Sequence, residues 1–444
     1  MRRIGEPQLS RAGAVSARVR SWTPAMMSAS ASLIVTVASL VIVRGDGFGL
    51  FGNFVVLQAI GILLNIPMLW GVHVNASRAI GAGADVGAVI GTALAVVAAT
   101  TVLTSVGYFG LLALVWDAMP IDAPTWLWPA VGLGGSTAVM LLAESLLRVR
   151  GRQLLASGLR LSCAGGYFLA VVAVMASGHG NAVLYAALVT GSNAACASLM
   201  LVGLRRGPER PVDRPDPGGW TLRWDAGLAR TFLREGRIYS IGQSLLTLLF
   251  GFDAILLMQA SGPTAVAVYA LYVGSLRRMI GVLFTDSLAS LLIASLSRKR
   301  FHTSGRTALR YAPLVLGVAL LGSSALVLVS LTAADALQHL VVGWVVLAAI
   351  GCSTHALVIV LFSVFTVQPQ LGLTRIRTAL TAAFLPGLAL QGAAAVVGGV
   401  PGMIAAFAVI NIALASWFLA VVRRSTTDAD RPQATGREIS SRTS

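Results

Sequence analysis

Acidic side chains are scarce in this sequence. Asp and Glu number 17 in 444 residues against 33 Lys and Arg, and charged residues of both signs make up 11% of the chain, where soluble domains carry about a quarter. So little charge excludes an ordinary soluble domain. Cysteine is scarcer still. Cys163, Cys196 and Cys352 lie in apolar runs without paired spacing, which excludes a disulfide framework and a thiolate metal site and leaves them as small packing residues. His73, His179, His302, His339 and His355 are scattered, with no His/Asp/Ser constellation and no metal-ligand spacing, so neither hydrolytic nor metal chemistry is indicated and no cofactor is expected. Gly47, Gly49 and Gly52 form a GxGxxG, but they lack the preceding strand and βαβ unit that a dinucleotide site needs.

What the sequence has is apolar length. Hydrophobic residues make up 56% and the mean hydropathy is +0.80. No Lys, Arg, Asp or Glu occurs between Asp85 and Asp117, between Arg160 and Arg205, or between Arg377 and Arg423. A membrane helix takes about 20 residues. The last two runs are each long enough for two crossings and each is broken midway, by Ser177-Gly-His-Gly180 and by Gly398-Gly-Val-Pro401-Gly. The fold class is an all-α polytopic membrane protein of about twelve spans. Those spans fall at 22–43, 54–74, 86–107, 126–147, 159–176, 182–204, two within a hairpin over 232–300, then 312–332, 338–366, 376–397 and 402–422. Basic residues precede the first apolar run without a cleavage site, so that run is expected to stay as a span.

A net charge of +16 raises nucleic-acid binding, and its placement removes it. Every Lys and Arg except Arg44, Arg277 and Arg278 falls in the amino tail, the even-numbered loops or the carboxyl tail. That is the positive-inside pattern, with both termini in the cytoplasm of a multi-pass membrane protein. The stretch 205–230, rich in Pro and charge, is a cytoplasmic linker. It parts a lobe at 21–204 from a second at 231–422, with cytoplasmic tails at 1–20 and 423–444. Phe51-Gly-Asn-Phe54 opens span 2 after a glycine-bearing loop, and Val266-Ala-Val-Tyr269 opens span 8 after another. The two are offset by 215 residues (51 to 266), which suggests a parallel duplication of six spans.

Polar residues inside the spans are the candidate site. Arg277 and Arg278 sit in the middle of span 8, where each Arg costs roughly 2.5 to 3.5 kcal/mol on insertion scales and so faces a watery cavity or a partner. At 100° per residue Ser275 and Asp286 lie within about 80° of Arg278, while Arg277 points about 100° away. Arg278 is the first candidate to hold an anion, with Asp286 as counter-ion; the alternative is that Arg278–Asp286 or Arg277–Asp253 pairs only pin helices. Ser240, Gln243 and Thr247 follow i, i+3, i+7 spacing on span 7, a stripe suited to sugar hydroxyls or to interhelical hydrogen bonds. On span 2, Gln58, Asn65 and His73 fall within about 80° of one another, a polar stripe that either hydrogen-bonds between helices or lines a cavity. Asp253 near the outer end of span 7 is gating or structural, and Arg237 at its mouth steers an anion or snorkels to the interface.

Gly251-Phe-Asp253-Ala-Ile-Leu-Leu-Met with Gly262-Pro-Thr-Ala-Val-Ala-Val-Tyr269, the loop Gly49-Leu-Phe-Gly52, and Glu144-Ser-Leu-Leu-Arg148-Val-Arg-Gly-Arg152 complete the picture. On these motifs the sequence resembles the polysaccharide transporter, or O-antigen flippase, branch of the multidrug/oligosaccharidyl-lipid/polysaccharide (MOP) exporters. The resemblance implies two six-helix lobes that rock around a central cavity in a bacterial cytoplasmic membrane. It implies a lipid-linked, anionic undecaprenyl-pyrophosphate oligosaccharide as cargo, membrane lipid and glycan-assembly proteins as partners, and no catalysis. Arginine suits a pyrophosphate because its fork of donors is always charged. Two other readings stand beside it. A cation-coupled drug exporter wants acids deep in the first lobe, where only Asp85 and Glu144 lie near the spans. A membrane glycan polymerase wants a large outer domain, and the outer loops are short.

Overall fold

The computed structural model describes residues 11–115, 123–205, 221–280, 301–366 and 369–430. These residues form α1 (Arg11–Leu69), α2 (Val72–Gly81), α3 (Val86–Val115), α4 (Ala123–Val149), α5 (Gln153–Ser177), α6 (Ala182–Arg205) and α7 (Ala226–Tyr269). A π turn (Ala270–Gly274), α8 (Ser275–Ile280), α9 (Phe301–Ala333), a 3-10 turn (Leu337–His339), α10 (Val342–Thr366) and α11 (Pro369–Asp430) follow. No strand occurs among the described residues. Nine helices there are long and apolar enough to cross a membrane. The protein is an all-α, multi-pass membrane protein, and its helices form because a backbone in lipid must satisfy its own polar groups.

Three of these helices are hairpins. α1 breaks at Gly47 (φ 87°, ψ 169°), α7 at Gly262 (φ 80°, ψ −178°) and α11 at Gly399 (φ 52°, ψ −132°). Such dihedrals are open essentially to glycine alone. Pro263 and Pro401 sit in the first turn after two of the breaks, where a missing N–H costs nothing. The first arm of α1 runs beside α5 up to the break: Ser28, early in the arm, hydrogen-bonds Ser157 at the start of α5 at 3.2 Å, while Gly45 abuts Met175 at the end of α5. Gly47 and Gly262 stand 215 residues apart, the offset of the sequence echo, so both members of that echo open on the same backbone turn.

Two compact units can be described. The first holds residues 1–270 with 333–335, the second 271–332 with 336–444. In the first, α1 packs chiefly on α7, α5 and α4, and α4 on α6. Glycines set the close approach of α1 to α7. A Cβ on Gly52 would overlap the Pro263 carbonyl, one on Gly251 would press on Leu63, and one on Gly236 would overlap the Trp70 carbonyl. The second arm of α1 therefore lies along α7 for its whole length.

The sequence reading runs span 2 unbroken to Val74, and the structure corrects it. Trp70 (φ 46°) and Gly71 (φ 68°) are left-handed and end α1, one turn after Pro67. The break frees backbone carbonyls, and one of them, that of Met68, accepts from Thr100 Oγ1 at 2.5 Å. Trp70 Nε1 donates to the Leu233 carbonyl at 3.1 Å, and Asn75 Nδ2 to that of Phe232 at 3.4 Å. Asp225 caps α7 through the amides of Gly227 and Leu228, and its own N–H donates to Thr92 Oγ1 at 2.9 Å. The helix that begins at Arg11 also takes in residues that the sequence assigns to a tail.

Candidate functional site

α7 runs helically from Ala226 to its break, so Ser240, Gln243 and Thr247 keep their i, i+3, i+7 relation. Ser240 is buried and Thr247 half-buried; the Gln243 side chain lies outside the described residues. Arg237 is exposed. Asp253 is fully buried, and Tyr269 donates its hydroxyl to the carboxylate at 2.8 Å across the Gly262 turn. Asp253 thus ties the two arms of the hairpin together, and the phenol supplies a donor that a carboxylate in an apolar interior requires.

Between Tyr269 and the arginines lies the π turn Ala270–Gly274. Its Tyr272 is buried, donates to the His339 carbonyl at 2.7 Å, accepts from the Val341 N–H at 3.1 Å and meets Trp344 edge-on at 5.7 Å. These contacts fix where α8 starts. Ser275 and Arg278 lie on α8, with side chains outside the described residues, as is all of Asp286. Arg277 is half-buried where α8 packs on α10, close enough for its charge to act on Cys352 and His355.

Around Arg277 the structure brings up residues that sequence reasoning missed. His355, buried in α10, shares a hydrogen bond of 2.9 Å between its Nδ1 and the Oδ1 of Asn411, itself fully buried in α11. Asn411 Nδ2 donates to the Phe407 carbonyl at 2.8 Å, and the Phe407 ring stands 5.8 Å from the imidazole. A histidine and an asparagine, each inside an otherwise apolar run, were the available signal.

In the first unit, Gln58 and Asn65 are half-buried on one continuous arm. Asn65 Oδ1 is buried without a hydrogen-bond partner among the described residues. His73 lies on α2, beyond the Trp70–Gly71 break, so a count of 100° per residue does not carry to it. Glu144, buried in α4, is held by Arg148 at 2.6 Å and Arg160 at 3.3 Å. Arg150 and Arg152 donate to the Leu204 and Gly203 carbonyls at 2.8 and 2.5 Å, capping α6. Asp46, in the loop after the first arm of α1, accepts from the buried Tyr185 hydroxyl of α6. Among the described residues no cluster of three or more His, Cys, Asp or Glu is placed to hold a metal.

No protein-family model and no curated protein matches the sequence. Solved structures do match in three dimensions. One is an inward-facing multidrug resistance MATE family transporter of the MOP superfamily, at 15% identity over 91% of this chain and 96% of that one, TM-score 0.58. The fold is shared with solved transporters of that superfamily. The MATE multidrug transporter DinF-BH, solved as a complex, matches at 15% identity over 94% of this chain and 98% of that one, TM-score 0.57. A MOP-superfamily transporter from Pyrococcus furiosus, whose binding pocket is described as reversed in polarity and suggestive of a different function, matches at 13% identity over 93% and 96%, TM-score 0.57. The MOP fold is thus shared along nearly the whole length of both partners, at identities too low to carry an activity with it.

Proposed function

We propose that this protein is a flippase for lipid-linked, anionic oligosaccharide in a bacterial cytoplasmic membrane, working by alternating access, with both termini in the cytoplasm. The observation that carries this reading is the cationic ground inside the second unit. Arg277 is half-buried on α8 with its charge acting on His355, and Arg278 follows it in sequence. A pyrophosphate head group is a concentrated anion that such donors recognise, while the prenyl chain stays in lipid. Two acids are buried among the described residues of the first unit, Glu144 and Asp253, and Glu144 is already neutralised by two arginines and offers little to a cationic drug. That one MOP transporter is described as having a pocket of reversed polarity supports cargo of another charge on this fold. In this reading Ser275 joins Arg278 at the anion with Asp286 as counter-ion to Arg278, Ser240, Gln243 and Thr247 meet sugar hydroxyls, and Gln58, Asn65 and His73 line the cavity. Arg237 stands at the mouth, and glycan-assembly proteins are the further partners.

Depletion of the protein tests this. Undecaprenyl-linked sugar accumulates on the cytoplasmic side, the native chain clears it and Arg278→Ala does not. Clearance by both leaves the flippase standing and makes Arg278 structural; no accumulation refutes the lipid-linked cargo. A second reading, cation-coupled drug export, is favoured by Asp253, a fully buried carboxylate bonded to Tyr269, and by likeness in fold to multidrug transporters. Asp253→Asn abolishing ion-driven efflux of a cationic dye from vesicles is the result that selects it.

A further inference from the structure

The first turns of α7 carry a row of arginine on one side. Arg230, Arg234 and Arg237 are all exposed, and the arm that holds them stays helical up to its break at Gly262. Steps of four and three residues keep the three within about 60° of one another. The other side of the helix is the packed one. Ala229, Phe232 and Gly236 are buried there, Asn75 donates to the Phe232 carbonyl, and the Trp70 carbonyl stands where a Cβ on Gly236 would. None of the three arginines makes an ion pair or a hydrogen bond among the described residues. Nor does the helix aim an acid at them. Asp225 is engaged by the amides of Gly227 and Leu228, and Glu235 lies about 100° or more from each arginine.

The row lies at an edge of the bilayer. The apolar span of α1 ends at Leu69, and Trp70, next in the chain, packs on Gly236. Arg237 is therefore level with that end, and Arg234 and Arg230 stand one and two turns beyond it. In the other direction the row passes straight into apolar side chains. Ile241, Leu245 and Leu248 continue it in steps of four, four and three, exposed or half-buried, all within about 80° of the arginines. Unpaired cations above an apolar strip complement an amphiphile with an anionic head. Arginine meets a phosphate with a fork of always-charged donors. Phospholipid phosphates are the anions found at that level, and a head of net negative charge brings no ammonium to repel the row.

We infer that Arg230, Arg234 and Arg237, with the strip from Ile241 to Leu248, form a docking surface for an anionic phospholipid of the adjoining leaflet. Its phosphate lies on the arginines and its chains along α7. The surface is independent of the cargo.

The test uses the full-length protein carrying Ile241→Cys, with Cys163→Ser to remove the half-buried native thiol; Cys196 and Cys352 are buried. A fluorophore is attached at position 241, and the protein is reconstituted into phosphatidylcholine vesicles in which a brominated lipid replaces a fixed share. Bromine quenches on contact, so quenching by brominated phosphatidylglycerol against brominated phosphatidylcholine reads which lipid occupies the strip. Phosphatidylglycerol is expected to be preferred roughly fivefold, the weight of one arginine at an anionic surface, and the preference to vanish when all three arginines are replaced by Gln. The arginines are exposed, so that variant is expected to melt with its parent; if it does not fold, Arg237→Gln alone is read for a reduced preference. Equal quenching by the two lipids in the parent, or an unchanged preference without the arginines, overturns the inference. Quenching by neither lipid means that protein covers the face, from a second copy or from another stretch of this chain, and overturns it too.

Discussion

Glu144 shows how single residues organise the basic end of the first unit. Its carboxylate is buried, and two arginines from α4 and α5 close on it while Arg150 and Arg152 cap α6. The motif that the sequence offers as a family mark is, in three dimensions, a clamp on three helices. Removing the shared anion breaks both arms of a buried ion pair, a change of a kind that costs roughly 3 to 5 kcal/mol. Glu144→Ala is expected to lower the melting temperature of the purified protein sharply, and Arg148→Ala less, because Arg160 still neutralises Glu144. Gly52 sets a steric limit of another kind. With the Pro263 carbonyl where a Cβ would stand, Gly52→Ala forces the backbones apart and is expected to cost about 1 to 3 kcal/mol, read as a fall in melting temperature absent from Gly49→Ala, where the space is open. Sequence reasoning singled out the arginines and Asp253 because a charge in an apolar run stands out. It did not reach His355 and Asn411, since an uncharged polar residue carries no sign of its partner; their pairing is a property of how α10 meets α11.

At the scale of elements, the three hairpin helices repeat one device. Gly47 and Gly262 share φ near 80° to 87° with extended ψ, a region that costs a side chain about 1 to 3 kcal/mol. Gly47→Ala and Gly262→Ala are therefore expected to destabilise by similar amounts, compared by thermal melts of the two purified variants. Neither position has an atom within 4 Å of an added Cβ, so the strain is purely conformational. All three breaks were legible, as glycine beside proline or further glycine between apolar runs. The Trp70–Gly71 break was less so. Tryptophan is an unusual left-handed residue, and what holds it there is the Leu233 carbonyl of a helix far along the chain. Pro67 was the sequence cue, read as part of a continuing span.

For the whole molecule, charge scarcity, apolar run length and the placement of basic residues made the membrane class and the hairpins readable. Those features need no knowledge of contacts. The division into units was not readable, because it falls between Tyr269, bonded to Asp253, and Tyr272, bonded to the His339–Val341 turn. A duplicated plan makes a further prediction: chains 1–212 and 213–444 co-produced from a split gene are expected to co-purify and restore the depleted phenotype, whereas a split within α4 is not. The glycine contacts at Gly52, Gly251 and Gly236 have a mechanical corollary. Two rods touching at both tips and at the middle cannot scissor, so the second arm of α1 and the first arm of α7 travel as one plank. Spin labels placed at 58 and 244 are therefore expected to hold a constant separation in every state the protein adopts.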